Sequence, residues 1–320
     1  MSLLVLSPGQ HDCIVDPGQV AKGPSLEYDA YAASVGNMLV GNPRDLPLLQ
    51  FQFPGPELLF EQTCLISITG AHFSAMLDDK PLPSWHPIVV NRNTVLHFAG
   101  RKQGSYGYLA VHGGMYCTSY KEDCPANGGL IQASLQKTQR IYLGEQDIYA
   151  AGWLTRGKQF SSLPWHPACQ YWYNTDGELM LEPAYVDGDQ PDKTFTAWLS
   201  HPHRWRMIRN GERLYLEGED CPLSHEAIRA SSFVPSGSLL LNKEGGLSIL
   251  LAGRQVKDEM LLGRIIPAHW SSLVQARAGD SWHIKIVDAV EAAQAEELQN
   301  RELLIIERAC NDHLHALVET

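Results

Sequence analysis

The most constraining feature of this chain is a series of short apolar segments separated by glycine, proline or asparagine. The segments are rich in β-branched, aromatic and leucine residues, and they span residues 58–69, 88–99, 106–111, 238–251 and 282–287. Such composition, bounded by turn-forming residues, favours β-strands. The sequence therefore predicts a mainly β protein, and its length of 320 residues suggests two globular modules.

Helical periodicity is convincing in only two places. In residues 29–39 the apolar side chains recur on one face, and Gly41 follows as a stop signal. The second helix begins at about Asp288, where Glu291 stands three residues further on, as in a capping box. An apolar stripe along this helix consists of Leu303, Ile306, Cys310 and Leu317. The stripe predicts that the helix either packs on its own barrel or presents a surface to a partner.

Between residues 144 and 203 the strand signals weaken, and proline, glycine and tryptophan become frequent. We place the domain junction and long surface loops in this region. The resulting division gives a first module at residues 1–150, a second at 151–287, and a C-terminal helix at 288–320.

Charge and hydropathy exclude several classes of partner. The formal net charge is -11, so the long-range field repels phosphate backbones and nucleic acid is not an expected partner. No apolar stretch reaches the roughly 18 residues that a membrane span needs. The seven cysteines are an odd number without a C-x-x-C pair, which favours free thiols over a disulfide framework or a zinc knuckle. We therefore expect a cytoplasmic protein without a membrane segment.

Standard catalytic and metal-binding motifs are missing. The sequence has no G-x-x-x-x-G-K-[ST] loop to hold nucleotide phosphates and no G-x-S-x-G nucleophile turn. The pairs His201/His203 and His313/His315 lack a third ligand at a recognisable offset, so no metal is expected.

Five blocks in the first third resemble one family in order and spacing. They are SLEYD at 25–29, NMLVGN at 37–42, GPELLF at 55–60, ITGA at 68–71 and YLAVHGG at 108–114. They resemble the family formed by the C-type subunit of 5-oxoprolinase and the second subunit of allophanate hydrolase, whose members are biotin-dependent carboxyltransferase-like. Weaker matches follow at RNGERL (209–214), ILLAGRQ (249–255) and LVQA (273–276).

The resemblance implies a fold and a partner. The fold would be two cyclophilin-like β-barrel subdomains with a C-terminal helix, the first of them carboxyltransferase-like, in agreement with the strand-rich pattern. The partner would be a B-type subunit in a heteromer that opens a small amide or lactam, 5-oxoproline, with ATP. No cofactor is expected to be covalently bound, since the sequence has no Met-Lys-Met biotin-attachment site; ATP is expected only as a participant in the complex.

The chain departs from the family pattern at positions where the family carries charge or glycine. Gln19 and Gln50 replace a family arginine and glutamate, and Ala133 stands at an arginine position. Late in the chain, Gly253 replaces an aspartate, and residues 256–261 (VKDEML) replace the family's T-T-G-G-Y-P. A neutral amide cannot hold an anion as a guanidinium fork does, so these changes indicate a rebuilt site.

In the first module three residues are candidates for the site. Asp16 and Asp29 are candidates for a ligand-anchoring carboxylate and a general base. The alternatives are turn capping for Asp16 and N-capping of the helix for Asp29. Asn37 is a candidate for substrate binding, and its alternative role is to hold a neighbouring loop.

The second module supplies three further candidates. Arg254 and Gln255 follow an apolar run and should emerge at a barrel rim, where they would belong to the catalytic set. Arg213 is a candidate for substrate binding, and the alternative is a structural bridge to Glu217 or Glu219.

Two functions remain open from the sequence. The first is the C-type subunit of an ATP-dependent 5-oxoprolinase, completed by a B-type subunit. The second is a catalytically degenerate paralogue that keeps the fold and the partner interface and acts as a regulator opposing an inhibitor of a sensor kinase.

Overall fold

The computed structural model describes residues 2–17, 28–116, 130–145, 158–169, 173, 177–184, 198–199, 205–210, 213–217 and 232–318. The chain divides into two compact units. Unit 1 contains Met1–Gly23, Asp29–Ala168 and Glu302–Thr320, and unit 2 contains Pro24–Tyr28 and Cys169–Arg301. The module boundaries inferred from the sequence stay predictions.

The described part of unit 1 contains short strands, the helix α1 (Ala30–Leu39) and residues 302–318 of a long C-terminal helix. The strands are β1 (Ser2–Ser7), β2 (Gln10–Val15), β3 (Leu48–Gln52), β4 (Glu57–Phe60), β5 (Cys64–His72), β6 (Ala75–Leu77), β7 (Lys80–Pro81), β8 (Ile88–Val90), β9 (Val95–Phe98), β10 (Gln103–Val111), β11 (Met115–Tyr116), β12 (Leu130–Ala133), β13 (Arg140–Leu143) and β14 (Phe160–Ser162).

These strands form two seven-stranded sheets. Sheet 1 has the order β11-β13-β1-β4-β9-β6-β7, and sheet 2 has the order β12-β2-β3-β10-β5-β8-β14. One hydrophobic cluster draws alternate residues from both sheets, including Leu3 and Val5 from β1 and Ile66 and Ile68 from β5. Because alternate residues of a strand point to one face, the two sheets pack face to face around this shared core.

Helix α1 covers the other face of sheet 2. Its N-cap is Asp29, and Gly41 beyond its end has a φ of +73°, a left-handed conformation that glycine adopts at little cost. Nearly all of its side chains are buried, because the helix packs on β5 and β10. The helix predicted at residues 29–39, with its stop at Gly41, is confirmed.

Unit 2 contains a closed barrel of seven strands. In chain order the strands of the unit are β15 (Glu178–Pro183), β16 (Trp205–Asn210), β17 (Arg213–Glu217), β18 (Ser232–Val234), β19 (Ser238–Asn242), β20 (Leu247–Leu250), β21 (Arg254–Val256), β22 (Glu259–Ile265) and β23 (Ser281–Ile286). The barrel order is β15-β22-β19-β20-β17-β16-β23, and it closes through the parallel pair β15 and β23.

The barrel interior is filled by alternate apolar side chains, as expected for a small barrel. Leu239, Leu241, Leu247 and Ile249 contribute from the central hairpin, and Trp282 is fully buried. Strands β18 and β21 form a separate two-stranded ribbon. Unit 2 also contains the 3-10 helix Pro267–His269 and a short helix, α2 (Trp270–Gln275).

The long helix α3 (Ala289–Val318) begins with the predicted capping box. The Asp288 carboxylate accepts hydrogen bonds from the amides of Val290 and Glu291, and the Glu291 carboxylate accepts one from the Asp288 amide. Of the predicted stripe, Ile306 and Cys310 are buried and Leu303 is partly buried. Leu314, which the prediction omitted, is buried too, and the side chain of Leu317 lies outside the described set.

The prediction of a mainly β protein with a C-terminal helix is confirmed. The described part of residues 144–203 contains the strands β14 and β15, which the sequence did not reveal. Most of the remainder of that region lies outside the described residues. In the described part of the chain, no helix is both long and apolar enough to cross a membrane.

Candidate functional site

A row of polar side chains crosses sheet 2 beneath α1. Tyr108 of β10 lies opposite Thr69 of β5 on one side and Gln50 of β3 on the other, and Gln50 lies opposite Cys13 of β2. Directly opposed residues in neighbouring strands share a face of the sheet, so these four side chains form one row about 14 Å long. All four are buried. We call Cys13, Gln50, Tyr108 and Thr69 the polar row.

Two hydroxyl side chains of β5 bond the backbone of α1: Thr69 of the polar row and Ser67, two residues before it. Thr69 donates from Oγ1 to the carbonyl oxygen of Ala32 at 2.7 Å, and Ser67 donates from Oγ to that of Gly36 at 2.6 Å. A Cβ at Gly36 would lie 2.9 Å from the Thr69 hydroxyl. Glycine at position 36 therefore lets the helix approach the strand closely enough for these bonds.

Asp29 is bonded to the polar row through Tyr108 and acts as the N-cap of α1. Its Oδ1 accepts a hydrogen bond from the amide of Ala32 at 3.0 Å, and its own amide donates to the Tyr108 hydroxyl at 2.8 Å. The residue is completely buried. The geometry is that of the structural alternative considered above, a cap that joins the helix to the sheet. Its role as a general base stays a prediction.

Gln50 and Cys13 give the polar row its chemical character. The Oε1 atom of Gln50 is buried and has no hydrogen-bond partner among the residues that the structure describes. Burial raises the pKa of the Cys13 thiol to about 12, and the neighbouring Asp12 carboxylate adds to the rise. The thiol is therefore protonated at neutral pH. The row as a whole offers hydroxyl, amide and thiol groups rather than charges.

Asn37, near the other end of α1, holds the loop that follows the helix. Its Nδ2 donates to the carbonyl oxygens of Arg44 and Leu46, and its Oδ1 accepts from Nδ2 of Asn42. Asn42 in turn donates to the carbonyl oxygen of Val111 and accepts from the amide of Gly113. Asn37 is fully buried, so the structure shows its loop-holding role, and its substrate-binding role stays a prediction.

In unit 2, Arg213 is engaged by a carboxylate. Its Nη1 and Nη2 donate to Oε1 and Oε2 of Glu259 at 2.5 and 2.8 Å, and Nη1 also reaches the Ser248 hydroxyl at 3.1 Å. The hydrogen bonds with Glu259 raise the pKa of Arg213 above its ordinary value. The structure shows the structural alternative, a bridge to a glutamate, but the partner is Glu259 on β22 and not Glu217. Glu219 lies outside the described residues. The role of Arg213 in substrate binding stays a prediction.

Arg254 and Gln255 occupy the exposed ribbon β18/β21. Their strand follows the buried run that ends β20, and Gln255 lies opposite Phe233, whose side chain is 58% exposed. Gly253 allows this close turn, because a Cβ there would lie 3.1 Å from the Phe233 ring. Both candidates are accessible to solvent, as the sequence suggested, and their catalytic role stays a prediction.

The remaining candidates lie apart from these clusters. Asp16 follows the last residue of β2 directly and is partly buried. The backbone of Ala133 pairs with Cys13 at the edge of the polar row, whereas Gln19 and the pair His201/His203 lie outside the described residues. In the described segments no group of three or more His, Cys, Asp or Glu side chains is placed to hold a metal ion.

Sequence reasoning missed Tyr108, Thr69 and Glu259 as members of these clusters. The first two lie in recognised blocks, and their alternation with apolar neighbours was a signal that each side chain lies on the face of its own strand opposite to the apolar core. Glu259 gave no such signal, because it lies far from Arg213 in the sequence and stands in a segment without a family counterpart.

A family model described as carboxyltransferase domain, subdomain A and B, matches residues 23–286. Among curated proteins, the chain is 24% identical to the C-type subunit of the Haemophilus influenzae 5-oxoprolinase over 274 residues, which is 83% of each chain. It is also 34% identical to the urea amidolyase of Lachancea kluyveri over 122 residues, 36% of this chain and 7% of that protein.

Among solved structures, the urea amidolyase of K. lactis superimposes with a TM-score of 0.73 at 19% identity. The superposition covers 95% of this chain and 20% of that one. The chain is therefore similar to a small part of the urea amidolyases and to most of the 5-oxoprolinase subunit.

Proposed function

The chain belongs to the carboxyltransferase domain family, subdomains A and B, and on this premise we propose that it is a C-type subunit of a complex that hydrolyses a small amide or lactam. The observation that carries this proposal is the alignment with the C-type subunit of 5-oxoprolinase, which extends over 83% of both chains. The similarity therefore extends over most of both chains rather than over a short shared segment.

The chemistry of the polar row supports an amide as the substrate class. The Tyr108 and Thr69 hydroxyls are bonded to the backbone of Asp29 and Ala32, whereas the buried Oε1 of Gln50 is a neutral acceptor without a partner in the described part of unit 1. An N–H group of an amide or lactam would satisfy such an acceptor, and burial without a partner costs about 1–3 kcal/mol. The catalytic contributions of Asp16, Asp29, Arg254 and Gln255 belong to this proposal.

ATP enters the proposal through the complex and not through this chain. Phosphate cradles are made of consecutive backbone amides or a glycine-rich loop with a lysine, and the sequence has no such loop. We therefore keep ATP as a participant in the complex and assign no step of ATP chemistry to residues of this chain.

One observation favours a second function, that of a non-catalytic regulatory subunit. Arg213 is the arginine that the sequence suggested for substrate binding, and Glu259 occupies both of its terminal nitrogens. Glu259 stands in the segment 256–261, where the family pattern has small and hydroxyl residues. A carboxylate in this place neutralises the guanidinium and would repel a substrate carboxylate.

The test is ATP-dependent release of glutamate from 5-oxoproline by the purified complex of this chain with its B-type and lactam-hydrolysing partners. The proposal of a C-type subunit expects turnover that requires this chain and falls by about 100-fold or more in Arg254→Ala, the cost of one positioned transition-state donor. The matched control is Arg264→Ala, an exposed arginine on β22 that donates to the Ser236 carbonyl oxygen. A stable complex without any turnover would support the regulatory function. Turnover in the absence of this chain would contradict both the catalytic and the regulatory function.

A further inference from the structure

Two histidines of unit 1 occur in the same tripeptide, Trp-His-Pro, at residues 85–87 and 165–167. The fold brings these distant segments together. The ring centroids of His86 and His166 lie 4.5 Å apart, and the ring planes are inclined by 36°. Neither the polar row nor the Arg213 pair includes them, so their proximity has no role in the function proposed above.

The backbone around both histidines is held by strand pairing. Strands β8 and β14 are antiparallel, with Ser162 opposite Ile88, and the amide of Leu163 donates to the carbonyl oxygen of Pro87 at 3.0 Å. Each histidine precedes a proline, which restricts its backbone to extended conformations. The two rings are therefore positioned by paired and restricted backbone.

The hydrogen bonds of the rings define their tautomers. Nδ1 of His86 lies 2.8 Å from the carbonyl oxygen of Ser84, and Nδ1 of His166 lies 3.3 Å from that of Pro167. A carbonyl oxygen can only accept, so in each neutral ring Nδ1 carries the hydrogen and Nε2 keeps its lone pair. Histidines that bind metals are oriented in the same way, by a bond from the other ring nitrogen to a carbonyl or carboxylate.

From this geometry we propose that His86 and His166 bind a divalent transition-metal ion through their Nε2 atoms, with water completing the coordination. Imidazole nitrogen suits Zn²⁺, Cu²⁺ and Ni²⁺, and two protein ligands with water make an open, exchangeable site. His166 is exposed and His86 partly exposed, so an ion reaches them from solvent. Residues 81–90 and 159–169 contain no lysine or arginine that would repel it.

Metal binding was not expected from the sequence because a third protein ligand was required there, and this pair does not need one. The pair was also overlooked because the two histidines are remote from each other in the sequence and match no ligand spacing. The site is independent of the proposed function, because a regulatory subunit and an active subunit would both contain it.

The experiment is calorimetric titration of the untagged full chain with Zn²⁺, comparing His86→Gln, His166→Gln and the control His283→Gln on β23. We expect one Zn²⁺ per chain with an affinity that falls at least about tenfold, or about 1.4 kcal/mol, in either of the first two variants and is unchanged in the control. Circular dichroism establishes that each variant is folded. Because His166 is exposed, its substitution should disturb the fold less than that of His86.

A second readout identifies the ligands directly. Electron paramagnetic resonance of the Cu²⁺-loaded chain should show coupling to two imidazole nitrogens in the wild type and to one in each single variant. The proposal is overturned if the wild type binds no Zn²⁺ at sub-millimolar concentration. It is equally overturned if both variants bind Zn²⁺ as tightly as the wild type.

Discussion

Glu259 holds the guanidinium of Arg213 by two parallel hydrogen bonds, one from Nη1 to Oε1 at 2.5 Å and one from Nη2 to Oε2 at 2.8 Å. The Arg213 side chain is only 17% exposed and the Glu259 side chain 13%, so the pair is largely shielded from water. Bidentate geometry of this kind is the strongest form of an arginine–carboxylate contact. The pair joins β17 to β22 within the barrel of unit 2.

Removing the carboxylate should therefore destabilise unit 2. We expect Glu259→Ala to lower the free energy of unfolding by about 2–3 kcal/mol, because a mostly buried guanidinium loses its partner. The exposed Glu244→Ala serves as the control and should change stability by less than about 0.5 kcal/mol. Urea denaturation measures both variants, and an unchanged midpoint for Glu259→Ala would contradict the assignment.

The same pair makes a prediction about the double variant. Arg213→Leu combined with Glu259→Leu should recover much of the stability lost in Glu259→Ala, since an apolar pair leaves no charge buried alone. If the double variant is as unstable as the single one, the interaction between the two side chains is not the source of the loss.

Two variants of Asp29 distinguish a structural role of this residue from a chemical one. Asp29→Ala removes the cap of α1 and should cost about 1–2 kcal/mol, whereas Asp29→Asn keeps an acceptor for the Ala32 amide and should unfold like the wild type. Thermal denaturation measures both. Loss of turnover in the reconstituted complex of the stable asparagine variant would assign Asp29 a chemical role, and equal stability of wild type and alanine variant would contradict the cap.

Asn42 should be more sensitive than its position in a loop suggests. The Asn42 side chain makes three hydrogen bonds, with Asn37, Val111 and Gly113, and the residue is 7% exposed. Asn42→Asp retains one acceptor but cannot donate to Asn37 or Val111, so we expect a loss of about 2–3 kcal/mol. Hydrogen exchange should locate the effect at Gly113 and its neighbours, and uniform exchange across unit 1 would argue against this local network.

Buried thiols should be inert at moderate pH. Burial raises the pKa of Cys13, Cys64 and Cys310 to about 12, so each thiol is protonated below that pH and only about one molecule in ten thousand is thiolate at pH 8. Iodoacetamide labelling mapped by mass spectrometry should leave these three unmodified in the native chain and modify them in urea. Comparable labelling in both conditions would contradict their burial.

Local signals made the helices predictable. Asp29 and Gly41 bound α1, and Asp288 with Glu291 begins α3, because caps and stops depend on residues only a few positions apart. The number of strands was harder to predict from the sequence. The sequence analysis treats residues 238–251 as one strand segment, although NKEGG at 242–246 interrupts its apolar residues. The turn there divides the segment into β19 and β20, because Asn242 Oδ1 accepts from the Glu244 and Gly246 amides.

The candidate site was less predictable than the fold, for a physical reason. Lateral neighbours in a sheet come from strands that are remote in the sequence, so nothing local indicates that Gln50 lies beside both Cys13 and Tyr108. The same holds for Arg213 and Glu259, whose strands are separated in the barrel by β19 and β20. Family blocks identified individual residues, whereas their hydrogen-bond partners required the three-dimensional structure.

The most direct test of the central claim is the mass of the species formed when this chain is co-expressed with the B-type subunit. We expect one complex that contains both chains and sediments as a single species at micromolar concentration in analytical ultracentrifugation. Two separate species with the masses of the individual chains would contradict the proposal that this protein acts as a C-type subunit.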